Sequence, residues 1–298
     1  MHQQSPTSAR DSYSGAEPLI RNVSDTARWV AVYRAQETER PDPLFRDPFA
    51  RRLAGERGEQ IAQSMPLGRG DNSWSMITRT RLVDDLINQQ IRDGVDTIIN
   101  LAAGLDSRPY RMQLPPSLHW IEVDLPEILS YKEEMLCGEK PVCSLERIRL
   151  DLSNNPARQD LFAELGRRSA KVLILSEGLL IYLAATDVAG LAKDLAAPPS
   201  FNVWIVDIAS PGLLKMLAKR MATQLSQIAP FRFAPPEGPS FFLAHGWQPA
   251  EVHSLLKTAA RFKRLSPLMR FFALFPETDK SRRDRPWSGV CLLKNANR

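Results

Sequence analysis

Cysteine is scarce in this chain of 298 residues: only Cys137, Cys143 and Cys291 occur. Three cysteines exclude a disulfide scaffold, and an odd count without metal-ligand spacing points to a reducing compartment. No Cys-x-x-Cys pair is present and the four histidines are scattered, so no metal centre is expected. Long apolar runs are also missing. The longest, residues 172–185, is broken by Ser176, Glu177 and Gly178 and falls short of the ~20 residues that cross a bilayer. The opening MHQQSPTSARDSYSG has no apolar stretch of the kind that marks a secretory signal. A cytoplasmic protein without a membrane partner is expected.

What is present suits one large α/β domain. Hydrophobic residues make up 43% and charged residues 24%, ordinary values for a folded chain that buries a sizeable core. The net charge of +5 is uneven, because residues 251–298 hold eleven Lys/Arg against four Asp/Glu. This surplus reads as a solvated surface. A nucleic-acid-binding module is the competing reading, and it leaves the acids described below without a role. No nucleic-acid partner is expected, and the sequence gives no oligomeric state.

Residues 1–18 are polar and read as a disordered tail. Residues 19–95 read as a helical cap, with helices over 23–39, 49–53 and 75–90 and a loop at 68–71. The rhythm then changes to short apolar strands: Thr97–Leu101, Trp120–Asp124, a weaker 148–151, Val172–Leu175 and Val203–Asp207. Helix-compatible segments at 127–136, 156–167 and 186–196 lie between them. That alternation predicts a parallel sheet covered on both faces. Residues 96–209 hold this sheet, 210–243 form an inserted lid, and 244–298 complete the sheet with strands at 270–275 and 289–293.

In such a sheet, ligands bind beyond the carboxyl ends of the strands. Four successive strand ends carry Gly104, Asp124, Asp151 with Leu152, and Glu177. Gly104 and Asp124 are twenty residues apart, the spacing at which a strand-two acid meets the ribose of a nucleoside held by the first loop. Gly104 permits a tight turn and close approach. Asp151 is placed to accept from an adenine amine, with Leu152 on the ring face. The loop AAGLDSR lacks the G-x-G-x-x-G that holds a pyrophosphate, and its Asp106 opposes one, which counts against a nicotinamide-dependent oxidoreductase. A cofactor with a sulfonium and an amino group, S-adenosylmethionine, fits better. Its carboxylate needs a cation, for which Arg79, Arg81 and Arg34 are candidates.

The segments NLAAGLDSRPYRM, IEVDLPEIL, LDL, LILSEGLLIYL and YRAQETERPDPLFRDPFA resemble the leucine carboxyl methyltransferase superfamily, specifically its bacterial S-adenosylmethionine-dependent O-methyltransferases, over residues 20–295. The resemblance implies a class I methyltransferase fold, a Rossmann-like seven-stranded sheet with the last strand antiparallel. It implies cofactor contacts from Gly104, Asp124, Asp151, Leu152 and Glu177, and a carboxylate contact from Arg79, with Arg81 as the alternative. It also implies methylation of a carboxylate or hydroxyl on a small molecule such as a polyketide; a protein C-terminal carboxyl group is the alternative acceptor. A carboxylate acceptor is ionised at neutral pH and needs no base, whereas a phenol needs one. His245 is the candidate for that role, with a helix-start or packing role as the alternative, and Tyr182 is the other catalytic candidate, placed to hydrogen-bond the substrate or to pack. Trp74 and Tyr33 are candidates for lining the pocket, with core packing as the alternative. Asp106 and Ser107 read as caps of a short helix at Pro109.

Overall fold

The computed structural model describes residues 25–64, 73–220, 230–277 and 284–297. The expected tail and the loop at 68–71 lie outside them. Three helices come first: α1 (Asp25–Thr38), α2 (Ala50–Ser64) and α3 (Trp74–Arg92). α2 runs well past the five residues expected, bending at Gly55, where φ is 61°. α1 and α2 pack on each other around Trp29, Val32, Leu53 and Ile61.

The strands and helices then alternate. They run β1 (Thr97–Leu101), α4 (Arg108–Arg111), β2 (His119–Asp124), α5 (Pro126–Met135), β3 (Ser144–Arg149), α6 (Asn155–Arg168), β4 (Val172–Ser176), α7 (Ala185–Ala196) and β5 (Phe201–Ala209). All five residues of β1 and of β4 are buried, as central parallel strands require. Their side chains divide by parity. Ile99, Leu101, Ile121, Val123 and Ile174 face a core closed by α6 and α7. Ile98, Trp120, Leu173 and Leu175 face the core beneath α3.

The sheet has seven strands in the order β3-β2-β1-β4-β5-β7-β6. α8 (Pro211–Arg220) follows β5, and a 3₁₀ segment, Gly238–His245, precedes β6 (Trp247–Ser254). α9 (Leu255–Arg261) and α10 (Pro267–Ala273) lead to β7 (Ser288–Asn295), which pairs antiparallel with both β5 and β6. The architecture is the class I methyltransferase sheet.

Four expectations need correction. Residues 270–275 are not a strand. Ser266 accepts a hydrogen bond from the Met269 N–H and Pro267 occupies the first turn, so the apolar run that follows begins as helix. β6 is a strand the sequence hides, because Pro249 interrupts its alternation; the proline is tolerated at an edge strand beside a register shift. His253 lies on β6. β3 begins four residues earlier than expected, and Asp151 lies in the loop beyond it. The stretch assigned to the lid is also not uniform. Phe242 is fully buried against Trp204 at 5.2 Å and belongs to the core.

Candidate functional site

β1 has β2 on one side and β4 on the other, so successive crossovers leave it in opposite directions. That is the switch point at which open α/β sheets bind ligands. A cavity of about 1230 Å³ lies there, larger than the roughly 300–1,000 Å³ of a typical ligand site. Its lining comprises two sets. One is charged and comes mainly from the strand ends. The other is apolar and comes from α8 (Leu213, Met216, Leu217), Phe231 and Phe233, and the α10 region.

The first loop is held in an unusual backbone state. Ala102 and Gly104 have φ of 50° and 49°. The Gly104 N–H donates to Asp124 Oδ2 at 2.6 Å, and the Leu125 N–H donates to Oδ1 at 2.7 Å. Two backbone donors thus fix the carboxylate at the end of β2. Burial pushes the Asp124 pKa up, those two donors pull it down, and burial prevails. A side chain at Gly104 would place Cβ 3.3 Å from Ala27 Cβ. The left-handed backbone alone costs a non-glycine residue about 1–2 kcal/mol. Gly104→Ala is expected to lower the melting temperature by a few degrees and to weaken ligand binding; thermal denaturation followed by circular dichroism checks the first, and an unchanged melt would show that the loop yields.

Beyond β1 and β4 the charges form a continuous network. Arg108 is 3% exposed. It donates to Asp84 Oδ1 (2.7 Å), Asp106 Oδ2 (2.7 Å) and Glu177 Oε2 (2.6 Å). Arg111 holds both oxygens of Asp84, at 2.7 and 2.8 Å. Arg79 donates to Asp207 Oδ2 at 2.7 Å, and the Gly178 N–H donates to Oδ1 at 2.7 Å. Burial raises the Asp106 pKa, but Arg108, Lys132 and Arg111 outweigh it and hold the carboxyl well below the usual range. Burial likewise opposes the charge on Arg79, and Asp207 and Glu177 more than restore it. Arg79 Nε lies 3.1 Å from Glu177 Oε1, yet it is a buried N–H without an aligned acceptor. A guanidinium in that condition has donor capacity for an incoming anion.

Gly104, Asp124, Asp151, Leu152, Glu177 and Arg79 all line the cavity. Asp151 is exposed, and its Oδ1 accepts from the Ser153 N–H at 2.8 Å. Arg81 does not reach the cavity. It pairs with Asp85 and donates to the Leu44 carbonyl. Arg34 reaches it but is committed to Asp47 at 2.8 Å and the Leu105 carbonyl at 2.6 Å. Asp106 does cap α4, accepting from the Arg108 N–H at 2.9 Å, whereas the Ser107 hydroxyl donates to Asp47. Trp74 lines the cavity and Tyr33 is in the helical core.

The two catalytic candidates separate. Tyr182 lines the cavity, packed 5.6 Å from Phe231. Burial raises its pKa, partly offset by a hydrogen bond with Thr26, so the phenol is neutral at pH 7. His245 is a correction: it is not part of the cavity wall. Its ring lies 4.9 Å from that of Phe241 at a tilt of 57°, beside Gly246, which approaches Ala196 at the end of α7. Burial and Lys193 both lower its pKa. Arg108 and Asp207 are the members of the site that sequence reasoning missed. Asp207 left one trace, an acid inside the apolar run VWIVDIA.

The family model for leucine carboxyl methyltransferase matches residues 27–196. A protein from Streptomyces avermitilis is 32% identical over 250 residues, covering 80% of this chain and 87% of its own length. One from Frankia alni is 36% identical over 197 residues, covering 63% and 68%. Both are provisionally named S-adenosyl-L-methionine-dependent methyltransferases. Among solved structures, a DUF574 family protein from Streptomyces avermitilis superposes with a TM-score of 0.56 at 14% identity, covering 91% of this chain and 97% of that one. A provisionally named methyltransferase from Thermobifida fusca gives 0.54 at 13% identity, covering 96% and 99%. These two likenesses concern the fold.

Proposed function

This chain belongs to the leucine carboxyl methyltransferase family and is an S-adenosylmethionine-dependent methyltransferase, and we propose that its acceptor is a carboxylate oxygen on a small, largely apolar organic molecule. One observation carries this reading. Among the described residues, no histidine, lysine or cysteine lines the cavity, and its one tyrosine is neutral at pH 7. The titratable lining is thus carboxylates, arginines and a neutral phenol, which offer only weak bases; such a site suits an acceptor that is already anionic, and a carboxylate with a reference pKa near 4 is that acceptor. The apolar set from α8, Phe231, Phe233 and the α10 region suits the body of such a molecule. A hydroxyl acceptor of the same size is the second reading.

The donor set fits the cofactor. Asp124 offers a carboxylate to a ribose diol, Asp151 an acceptor to an adenine amine, and Leu152 an apolar surface to the ring. Arg79 offers the donor capacity its guanidinium retains beside Asp207 to the cofactor carboxylate. Glu177 and Asp207 supply negative charge for an ammonium and a sulfonium. When bound, the cofactor supplies an electrophilic methyl group on a positively charged sulfur.

The residues of this chain then position and desolvate. Arg108 holds Glu177 in place from behind, so the acid wall does not have to reorganise during the reaction. The apolar set keeps water from the acceptor carboxylate, which strengthens its attraction to a sulfonium. A carboxylate that accepted this methyl group would be neutralised together with the sulfonium. No proton is released, so no residue has to receive one. Alignment supplies most of the rate.

The test is a panel of apolar carboxylic acids and matched phenols, with products identified by mass spectrometry. Base-labile methyl esters are expected, at rates flat between about pH 6 and 8 because a carboxylate stays ionised there. Methyl ethers, formed at rates that climb about tenfold per pH unit, would replace this acceptor with a phenol.

A further inference from the structure

Large apolar side chains are exposed at few places on the described surface, and five of those eight residues fall between positions 268 and 275. Leu268 is 66% exposed, Phe271 56% and Leu274 80%, with Phe272 and Phe275 beside them. α10 contributes no buried residue at all. It is short, amply capped by Ser266, and packed only lightly on α9. Such a patch costs solubility and is retained where something covers it. Two features of its setting indicate what that is.

The patch is continuous with the cavity. Met269, Phe272 and Phe275 line the cavity, while Leu268, Phe271 and Leu274 do not. One helix thus presents apolar groups both to the outside and to the acceptor side of the site. The second feature is charge. Arg261, Lys263 and Arg270 are exposed on or just before α10, Arg285 is exposed at the cavity wall, and Lys219 and Arg220 end α8. Among the described residues of segments 261–277 and 284–285, the acids are fewer. Glu277 accepts hydrogen bonds from Ser254 and Trp287, and Asp284 is exposed.

We propose that the α10 face docks on an anionic lipid surface, with Leu268, Phe271 and Leu274 entering the interface and the surrounding Lys and Arg side chains contacting the head groups. Exposed apolar side chains with exposed Lys and Arg on the same and adjoining segments are the arrangement that an interfacial helix uses. A second copy of the chain is disfavoured, since pairing this face with itself brings the same cations together. No described helix is long and apolar enough to cross a membrane, and the contact is with the surface alone. The expectation of no membrane partner is revised at this one face. Docked there, the apolar acceptor side of the cavity faces the lipid, and an acceptor dissolved in it reaches the site without crossing water. The docking itself does not depend on which oxygen is methylated.

The experiment is co-sedimentation of the full chain with phosphatidylcholine vesicles, with and without phosphatidylglycerol, alongside Phe271→Asp/Leu274→Asp. Neither residue lines the cavity, so cofactor binding by calorimetry is expected to be unchanged in the variant. The wild type is expected to bind the anionic vesicles, more weakly at high salt, and the double variant to lose roughly a hundredfold in partition. Absence of wild-type binding, or equal binding by the variant, overturns the proposal. So does a concentration-dependent dimer that the variant abolishes without any vesicle binding, which would assign the face to self-association.

Discussion

Asp124→Ala is expected to weaken S-adenosylmethionine binding by at least a hundredfold, measured by calorimetry, with the fold intact by circular dichroism. The carboxylate is held by the Gly104 and Leu125 N–H groups and leaves lone pairs directed at the cavity for a ribose diol. A hydrogen bond to a charged group contributes about 1.5–3 kcal/mol, so losing two accounts for a drop of that size. The same carboxylate sets a pH dependence. Burial has raised its pKa, so it takes up a proton at a higher pH than an ordinary aspartate. Affinity therefore falls on acidification, beginning above the usual carboxylate range. Wild-type affinity in the alanine variant would move ribose recognition to another group.

Arg108→Leu is expected to have the largest effect on stability. The arginine neutralises three carboxylates, Asp84, Asp106 and Glu177, from a buried position. Removing one partner of a buried pair costs about 3–5 kcal/mol, because the remaining charges lose their compensation. For a chain of this size that is on the order of a 10 °C fall in melting temperature. Arg108→Lys keeps the charge but loses the fork that reaches several acids at once, and is expected to fall between. A melt within a degree or two of wild type would mean that Arg111 and Arg79 take over the acids.

Both predictions concern residues of different legibility. Asp124 was visible, because a β-branched run ending in an acid twenty residues after a glycine is a local pattern. Arg108 was not. Its role comes from Asp84 on α3 and Glu177 after β4, brought together only by the fold. Asp207 pairs with Arg79 across 128 positions, and no spacing rule foretells that. β1, β2, β4 and β5 were legible because buried parallel strands are continuous apolar runs. β6 was not, since Pro249, Glu251 and His253 make an edge strand look like a loop. The run RFFALF suits a strand or a helix equally by hydropathy, and Ser266-Pro267 in front of it was the deciding signal. His245 follows Phe242, which anchors that segment in the core, and no local pattern encodes that packing contact. The family model ends at residue 196, and the apolar wall from α8, Phe231, Phe233 and α10 lies beyond it, in segments without the strand-helix alternation that marks β1 to β5.

The placement of β7 has a consequence for the order of assembly. It is the last strand in sequence, yet it sits inside the sheet, between β5 and β6. During synthesis, β1 to β5 emerge in an order that lets each find a neighbour, and the acids at their ends are assembled early. β6 emerges with nowhere to pair, and the open edge of β5 stays bare until residues 288–295 arrive. For that interval the nascent chain carries two unsatisfied strand edges.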